Sequence, residues 1–472
     1  MFLFSILFVA AHTILTPSRV IDGDPLQYLR LAHSIVDHHV FAYKVAEARP
    51  GALAPREPLY PTLLAGVLYL EKALGFKVAC SNAQGDDCGE GLPLFTTLNA
   101  ALFAIAAVAT AAAVLSLGAP TWAGWFAFAY VLLNFQAASE IEWVMSDYLA
   151  MALAATFSLA AARALRSNRP ALWVLPGIAA ALLTLTKVAF LYFAIAGLVL
   201  LALAGLLLLW RTGSRRMLAV ALALAIGYVP LTGAWSVRNG VVLGQYCLTE
   251  GRGSETLGLR VAFNELTPRQ FAAGIFWWTR GFGDALAKRL FDEEARSPFD
   301  WSKPNNFYEV TVAAIHRRAA DATAANLGDL RAGEKAVTDE LVREAISHPL
   351  QHATSTLLFI YRGIWIDEFI VLGFPLLMFA VVHAVRRKRW ELLIVLSPGL
   401  FGMLFYALLS LNPPRYQLTS LPTIAIGAAL GAAYLAAKWR EQRLRPALSA
   451  TRANVSHVPA RGKYPEPAVP AA

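Results

Sequence analysis

An all-α polytopic membrane bundle of about ten transmembrane helices is predicted for this chain by three observations. Apolar residues fill 57% of its 472 positions, and the mean hydropathy is +0.50, more than a single soluble core of that length requires. The apolar residues fall into about ten separate stretches that approach the roughly 20 residues needed to cross a hydrocarbon core. Basic residues collect in alternate short connections, as membrane topology demands.

In chain order the apolar stretches cover 1–16, 92–117, 121–138, 147–165, 171–187, 188–210, 217–235, 367–385, 391–410 and 417–437. An even number of spans puts both termini on one side. Arg163, Arg166 and Arg169, then Arg211, Arg215 and Arg216, then Arg386 to Arg389, then Lys438, Arg440, Arg443 and Arg445 mark that side as cytoplasmic. The net charge of +9 is thereby accounted for by topology, and no nucleic-acid partner is expected. The first span has no basic region and no small-residue cleavage site before Asp22, so a cleaved signal peptide is not expected. The predicted organisation is an N-terminal transmembrane module over 1–235, whose first external loop is 17–91, a mainly helical periplasmic segment over 236–366, C-terminal transmembrane helices over 367–437, and a cytoplasmic tail over 438–472, disordered from about 446. The locality implied is a bacterial inner membrane.

The opposite face carries the chemistry: 17–91, 139–146, 236–366 and the turn Leu411-Asn412-Pro413-Pro414-Arg415-Tyr416. Leu59-Tyr60-Pro61 opens a stretch expected to lie on the membrane as a helix, with Glu71-Lys72 on its solvated side. Thr267-Pro268 signals a helix start, and Phe271, Ile275, Trp278, Phe282 and Leu286 extend it at helical spacing. Further helices are expected around 306–325, 333–347 and 353–366. Trp143, Trp277, Trp278 and Trp365 read as an interfacial aromatic belt, and His33, His38 and His39 as solvated loop residues. Cys80 and Cys88 bracket a short polar loop on the oxidising side, where a local disulfide is expected. No zinc-ligand spacing is present.

Asp22 and Asp24 sit where the first span meets water, and both a helix cap and a general-base pair fit them. The same face supplies Arg56, Glu57, Glu140, Glu142, Asp147, Lys187, Arg238 and Arg415. Lys187 interrupts a nearly continuous apolar run from Ala171 to Trp210, so it falls at an external turn, either snorkelling to headgroups or binding an anion. Cations facing carboxylates suit transfer of a sugar from a lipid phosphate. The cations stabilise the departing phosphate, and a carboxylate takes the proton of the attacking hydroxyl.

The landmarks Asp24-Pro-Leu-Gln-Tyr28, Arg56-Glu-Pro-Leu-Tyr-Pro61, Met145-Ser-Asp147, Leu185-Thr-Lys187, Trp235-Ser-Val-Arg-Asn239, His348-Pro349 and Arg415-Tyr416 resemble, in order and over roughly residues 1–435, the GT-C superfamily. Within it the chain is similar to the bacterial branch of protein O-mannosyltransferases and lipid A aminoarabinose transferases. The resemblance implies an integral membrane glycosyltransferase that takes a polyprenyl-phosphate sugar donor and a lipid, glycan or protein acceptor at the periplasmic face. It implies Asp24 as the general base with Asp22 in reserve, Asp147 as an orienting carboxylate, and Lys187, Arg238, Arg415 and Arg56 around the donor phosphate. Tyr28, Tyr60, Glu142 and Tyr416 are then expected to border the substrate. Val188 stands where the family often has Pro after the basic residue. No cofactor is implied with certainty, and a divalent metal is left open. The competing reading is a transporter or flippase of a lipid-linked sugar, which would place its charges near the bilayer midplane.

Overall fold

The computed structural model describes residues 1–16, 23–43, 48, 56–75, 93–167, 169–249 and 253–455, with side chains through 443. Asp22 and the expected Cys80–Cys88 bridge lie outside them. Every regular element among the described residues is helical. The protein is an all-α membrane bundle carrying a helical cap.

The first half of the bundle comprises α1 (Phe2–Leu15), α2 (Asp24–His38), α3 (Leu59–Ala73), α4 (Pro93–Ser116), α5 (Thr121–Leu132), the single turn α6 (Phe135–Ala138), α7 (Asp147–Ser167), α8 (Val174–Thr186), α9 (Ala189–Thr212) and α10 (Arg216–Leu243). The cap follows as α11 (Gly253–Val261), α12 (Pro268–Trp277), α13 (Gly283–Leu290), α14 (Glu293–Arg296), α15 (Phe307–Ala325), α16 (Leu330–Ser347) and α17 (Pro349–Ile364). The chain then returns through α18 (Ile370–Arg386), α19 (Trp390–Leu409) and α20 (Leu421–Val455).

Six of these helices, α4, α7, α9, α10, α19 and α20, are long and apolar enough to cross a bilayer. The remaining expected spans are shorter apolar helices: α1, α5, α8 with the 3-10 turn before it, and α18. At 1.5 Å per residue, the 14 residues of α1 reach only about 21 Å, short of a 30 Å core. The core is built on small side chains. Ala100, Ala106, Ala107, Ala111 and Ala113 of α4 are fully buried, which lets α7 approach closely. Gly177 of α8 and Gly227 of α10 face each other so tightly that a Cβ on either would overlap a backbone oxygen of the other helix. By contrast α9 turns Tyr192, Ile195, Val199, Leu203, Leu206 and Trp210 outward.

In the cap, Thr267 and Gln270 form a capping box at the start of α12, and Asn306 and Asp329 accept backbone N–H bonds at the starts of α15 and α16. The continuous helix expected from Pro268 to Leu286 is broken. Gly281 adopts a positive φ of 87°, and a Cβ on Gly283 would overlap Phe276 O, so the chain folds back before α13. This turns Phe282 outward, while the half-buried Trp278 packs on Phe299 and Phe359.

Two other expectations are corrected. Glu71 is not on a solvated face: it is 2% exposed and neither carboxylate oxygen has a hydrogen-bond partner among the described residues, because α3 turns it inward while Lys72 reaches out to Asp37. His33 is buried within α2 rather than solvated in a loop. The described part of α20 runs to Val455.

Candidate functional site

Gly23 caps α2 with φ at 91°, and Asp24 and Pro25 begin the helix. Asp24, Gln27 and Tyr28 then share one face, since residues three and four apart are neighbours on a helix. Arg56 lies against that face. It pairs with Asp24 Oδ1, donates through Nε to Gln27 Oε1 at 3.0 Å and sits 4.9 Å from the Tyr28 ring centroid. Tyr43 also donates to Gln27, at 3.2 Å.

The second oxygen of Asp24 meets Arg415, whose Nη2 donates to Oδ2 at 3.2 Å. Arg415 is delivered by the Leu411–Tyr416 turn between α19 and α20. That turn is held by Asn412, which is fully buried and donates to Phe359 O at 2.8 Å while accepting from Gln417 at 2.6 Å. Arg415 Nη1 also lies 3.7 Å from Met145 Sδ.

Asp147 begins α7 and Lys187 follows the end of α8. Their Oδ1 and Nζ atoms form an ion pair at 2.8 Å, with the two side chains 5% and 13% exposed. Burial alone would pull the Lys187 ammonium down, but Asp147 and the surrounding phenols raise it overall. The next turn is fixed by Val188, whose N–H donates to Glu57 Oε1 at 2.9 Å. Thus neighbouring residues of one loop serve both halves, Arg56 on Asp24 and Glu57 on the Lys187 turn.

Tyrosines join the halves. The Tyr28 hydroxyl lies 3.1 Å from Ser146 Oγ, linking α2 to the residue before Asp147, and burial pushes this phenol up. Tyr60 packs edge-on to Tyr28 at 5.1 Å, and its buried hydroxyl has no hydrogen-bond partner among the described residues. The Tyr416 ring lies within 5.2 Å of Lys187 Nζ and 5.5 Å of the Arg415 guanidinium, and 5.2 Å from the Tyr406 ring.

The cluster therefore brings together Asp24, Arg56, Asp147, Lys187, Arg415, Tyr28, Tyr60 and Tyr416. Arg238 does not contact these groups. It bonds to Asn239 at 2.9 Å and Phe41 O at 3.4 Å and packs on Trp235. Glu142 lies in the 3-10 turn Ser139–Glu142, which Asn99 fixes by donating to Ile141 O and Trp143 O at 3.0 and 2.8 Å. Glu140 of that turn is raised by burial and by Asp147. Arg415 and Lys187 meet Asp24 and Asp147 in ion pairs.

Gln27, Ser146 and Tyr406 belong to the site and were not anticipated. Gln27 and Ser146 stood inside the landmarks Asp24-Pro-Leu-Gln-Tyr28 and Met145-Ser-Asp147 with no role assigned, and Tyr406 looks like an ordinary membrane-helix residue until its partners are known. Among the described residues, no group of three or more His, Cys, Asp or Glu side chains is arranged to hold a metal.

The cluster and the basic connections occupy opposite ends of the same helices. From Asp147 to Ser167, α7 has 21 residues, about 31 Å. The fold and site thus define an integral membrane protein with a charged, tyrosine-lined constellation at one end of its bundle. No family model and no curated protein matches the sequence. Among solved structures, the chain is similar to ArnT from Cupriavidus metallidurans in the apo state, with 16% identity, 90% of this chain and 77% of that chain covered, and a TM-score of 0.33. So loose a superposition carries no argument about function.

Proposed function

We propose that this chain is a GT-C type glycosyltransferase of a bacterial inner membrane, which moves a sugar from a polyprenyl-phosphate donor to an acceptor hydroxyl or phosphate at the periplasmic face, with inversion. The observation that supports this reading best is the alternation Arg56–Asp24–Arg415 beside Asp147–Lys187, with Tyr416 bordering both Arg415 and Lys187. In the resting site, carboxylates occupy the cations. A donor phosphate entering beside Tyr416 becomes the new partner of Arg415 and Lys187, and Asp24 Oδ2 is released.

The freed Asp24 oxygen accepts the proton of the acceptor O–H as its oxygen bonds to the anomeric carbon. The anomeric C–O bond to phosphate breaks, and the phosphate leaves with the electron pair, held by Arg415 and Lys187. Displacement from the face opposite the phosphate inverts the anomeric carbon. Arg56 keeps the other Asp24 oxygen in place, and Asp147 orients Lys187. No step is routed through a metal.

Asp24→Asn keeps size and hydrogen-bonding shape but cannot take the proton, so transfer falls by at least about 100-fold while donor binding persists. Mass spectrometry of envelope glycans and lipids from a deletion strain, complemented with parent or variant, reads this and identifies the product. Full complementation by Asp24→Asn would remove Asp24 as the base. If Asp22→Asn alone abolishes transfer, the role belongs two residues upstream.

A further inference from the structure

Two arginines of the cap are buried with no carboxylate partner among the described residues, and they differ in how their donors are used. Arg260 of α11 gives Nε to Ala407 O at 2.7 Å, Nη1 to Asn264 Oδ1 at 3.0 Å, and Nη2 to His352 O and Thr356 Oγ1 at 2.8 and 2.7 Å. Each nitrogen has an acceptor, so the group is a satisfied structural tie between cap and bundle. Arg362, near the end of α17, is 9% exposed. It has one protein acceptor, Leu411 O, 2.9 Å from Nη1; Nε and Nη2 have none among the described residues.

The Arg362 guanidinium is framed by Trp278 and Trp301, 4.7 and 4.9 Å from its centre. Both indoles are held in place. Trp301 donates to Pro298 O at 2.9 Å and packs on Tyr308, and Trp278 packs on Phe299 and Phe359. Cation–π contacts offset part of the cost of burying the charge. They leave unused the N–H donors that lie in the guanidinium plane, where a carboxylate or phosphate binds in bidentate fashion. Burial pulls Arg362 down to about 9, against the raising effect of Tyr416.

We propose that Arg362, framed by Trp278 and Trp301, is an oxyanion-binding subsite that takes a phosphate or carboxylate group. Tyr416, which borders Arg415 and Lys187, is also a charge neighbour of Arg362, so the subsite adjoins the Asp24 cluster. The Leu411 carbonyl it holds begins the turn that delivers Arg415. The oxyanion is therefore carried by a molecule engaged beside the reaction site, either a substrate or a lipid whose headgroup reaches the cap. The inference stands without the transferase reading, because binding is read without turnover.

The test is 31P line broadening of inorganic phosphate with full-length protein in detergent, comparing the parent with Arg362→Met, Arg362→Lys and the exposed control Arg289→Met. The parent and control bind alike. Arg362→Met weakens apparent affinity at least about tenfold, the scale of a lost charge-assisted hydrogen bond, and Arg362→Lys is intermediate because a point charge replaces a planar fork. Arg415→Met leaves the Arg362-dependent part in place, which separates the two sites. No phosphate binding by the parent, or unchanged affinity in Arg362→Met, overturns the proposal. If Arg362→Met does not elute as folded protein, the Arg362→Lys titration decides alone, and unchanged affinity there overturns it. Repeating the parent titration in nanodiscs distinguishes the sources. Loss of phosphate binding in phosphatidylglycerol but not in phosphatidylcholine assigns the subsite to an anionic headgroup; equal binding in both assigns it to a soluble or substrate-borne oxyanion.

Discussion

At the buried Asp147–Lys187 ion pair, the proposed donor contact and stability are tied together. Removing one member of a buried ion pair strands the other, at a cost of about 3–5 kcal/mol, so Lys187→Met lowers the thermal midpoint as well as donor use. Asp147→Asn with Lys187→Met recovers most of the lost stability, because no charge is left buried alone. Melting curves of the three variants in detergent check this; additive losses in the double variant would mean that the pair is not coupled. Lys187 was legible in sequence because a cation inside a long apolar run has to be accounted for. Its partner was less so, since Asp147 lies 40 positions away and is joined to it by packing of α7 against α8. Asp367 had no legible signal at all. It opens the stretch 367–385, and it is fully buried and accepts from Tyr130, from Asn134 at 2.7 Å and from Phe369 N–H at 2.9 Å. Burial pushes it up to about 6.

Among the elements, α3 carries the clearest pH dependence. Burial raises the Glu71 carboxyl above its ordinary 4.5, so the folded chain keeps a proton that the unfolded chain has released. The sign follows: stability from this group is fully present below the unfolded value and declines as pH rises through the folded one. Glu71→Gln is therefore expected to raise the thermal midpoint at pH 8 and to have little effect near pH 4. A midpoint gain that is the same at both pH values would show that Glu71 acts through packing alone. Helix existence was readable from periodicity, as with α15 and α16, and so was the Thr267 cap. The break after Trp277 was not, because the apolar pattern runs through it and only the conformation of Gly281 and the crowding at Gly283 end the helix. A two-glycine signal flanking Phe282 was available and was outweighed by the pattern.

For the whole molecule, charge segregation sets the expected topology. Reporter fusions after Arg166, Arg215 and Lys388 are expected to report cytoplasm and a fusion at Gly328 periplasm; a cytoplasmic signal at Gly328 would place the Asp24 cluster on the wrong side for a periplasmic transferase. Fold class and the order of the apolar stretches were legible because each span reports on itself through hydropathy. The mutual arrangement of the spans was not, since it rests on close approaches such as Gly177 to Gly227 that hydropathy does not encode.

The Arg415–Asp24 contact joins residues separated by 391 positions, which bears on how the protein comes to exist. Asp24 leaves the ribosome 391 positions before Arg415. Until the turn before α20 is made, the nascent chain lacks the guanidinium that meets Asp24 Oδ2, and that turn ties the end of the bundle to its beginning. A chain stopped after Arg386 would retain most of its membrane segments and Arg56, yet it would lack the turn that closes the site. Until that turn is made, Asp24 Oδ2 lacks its Arg415 contact.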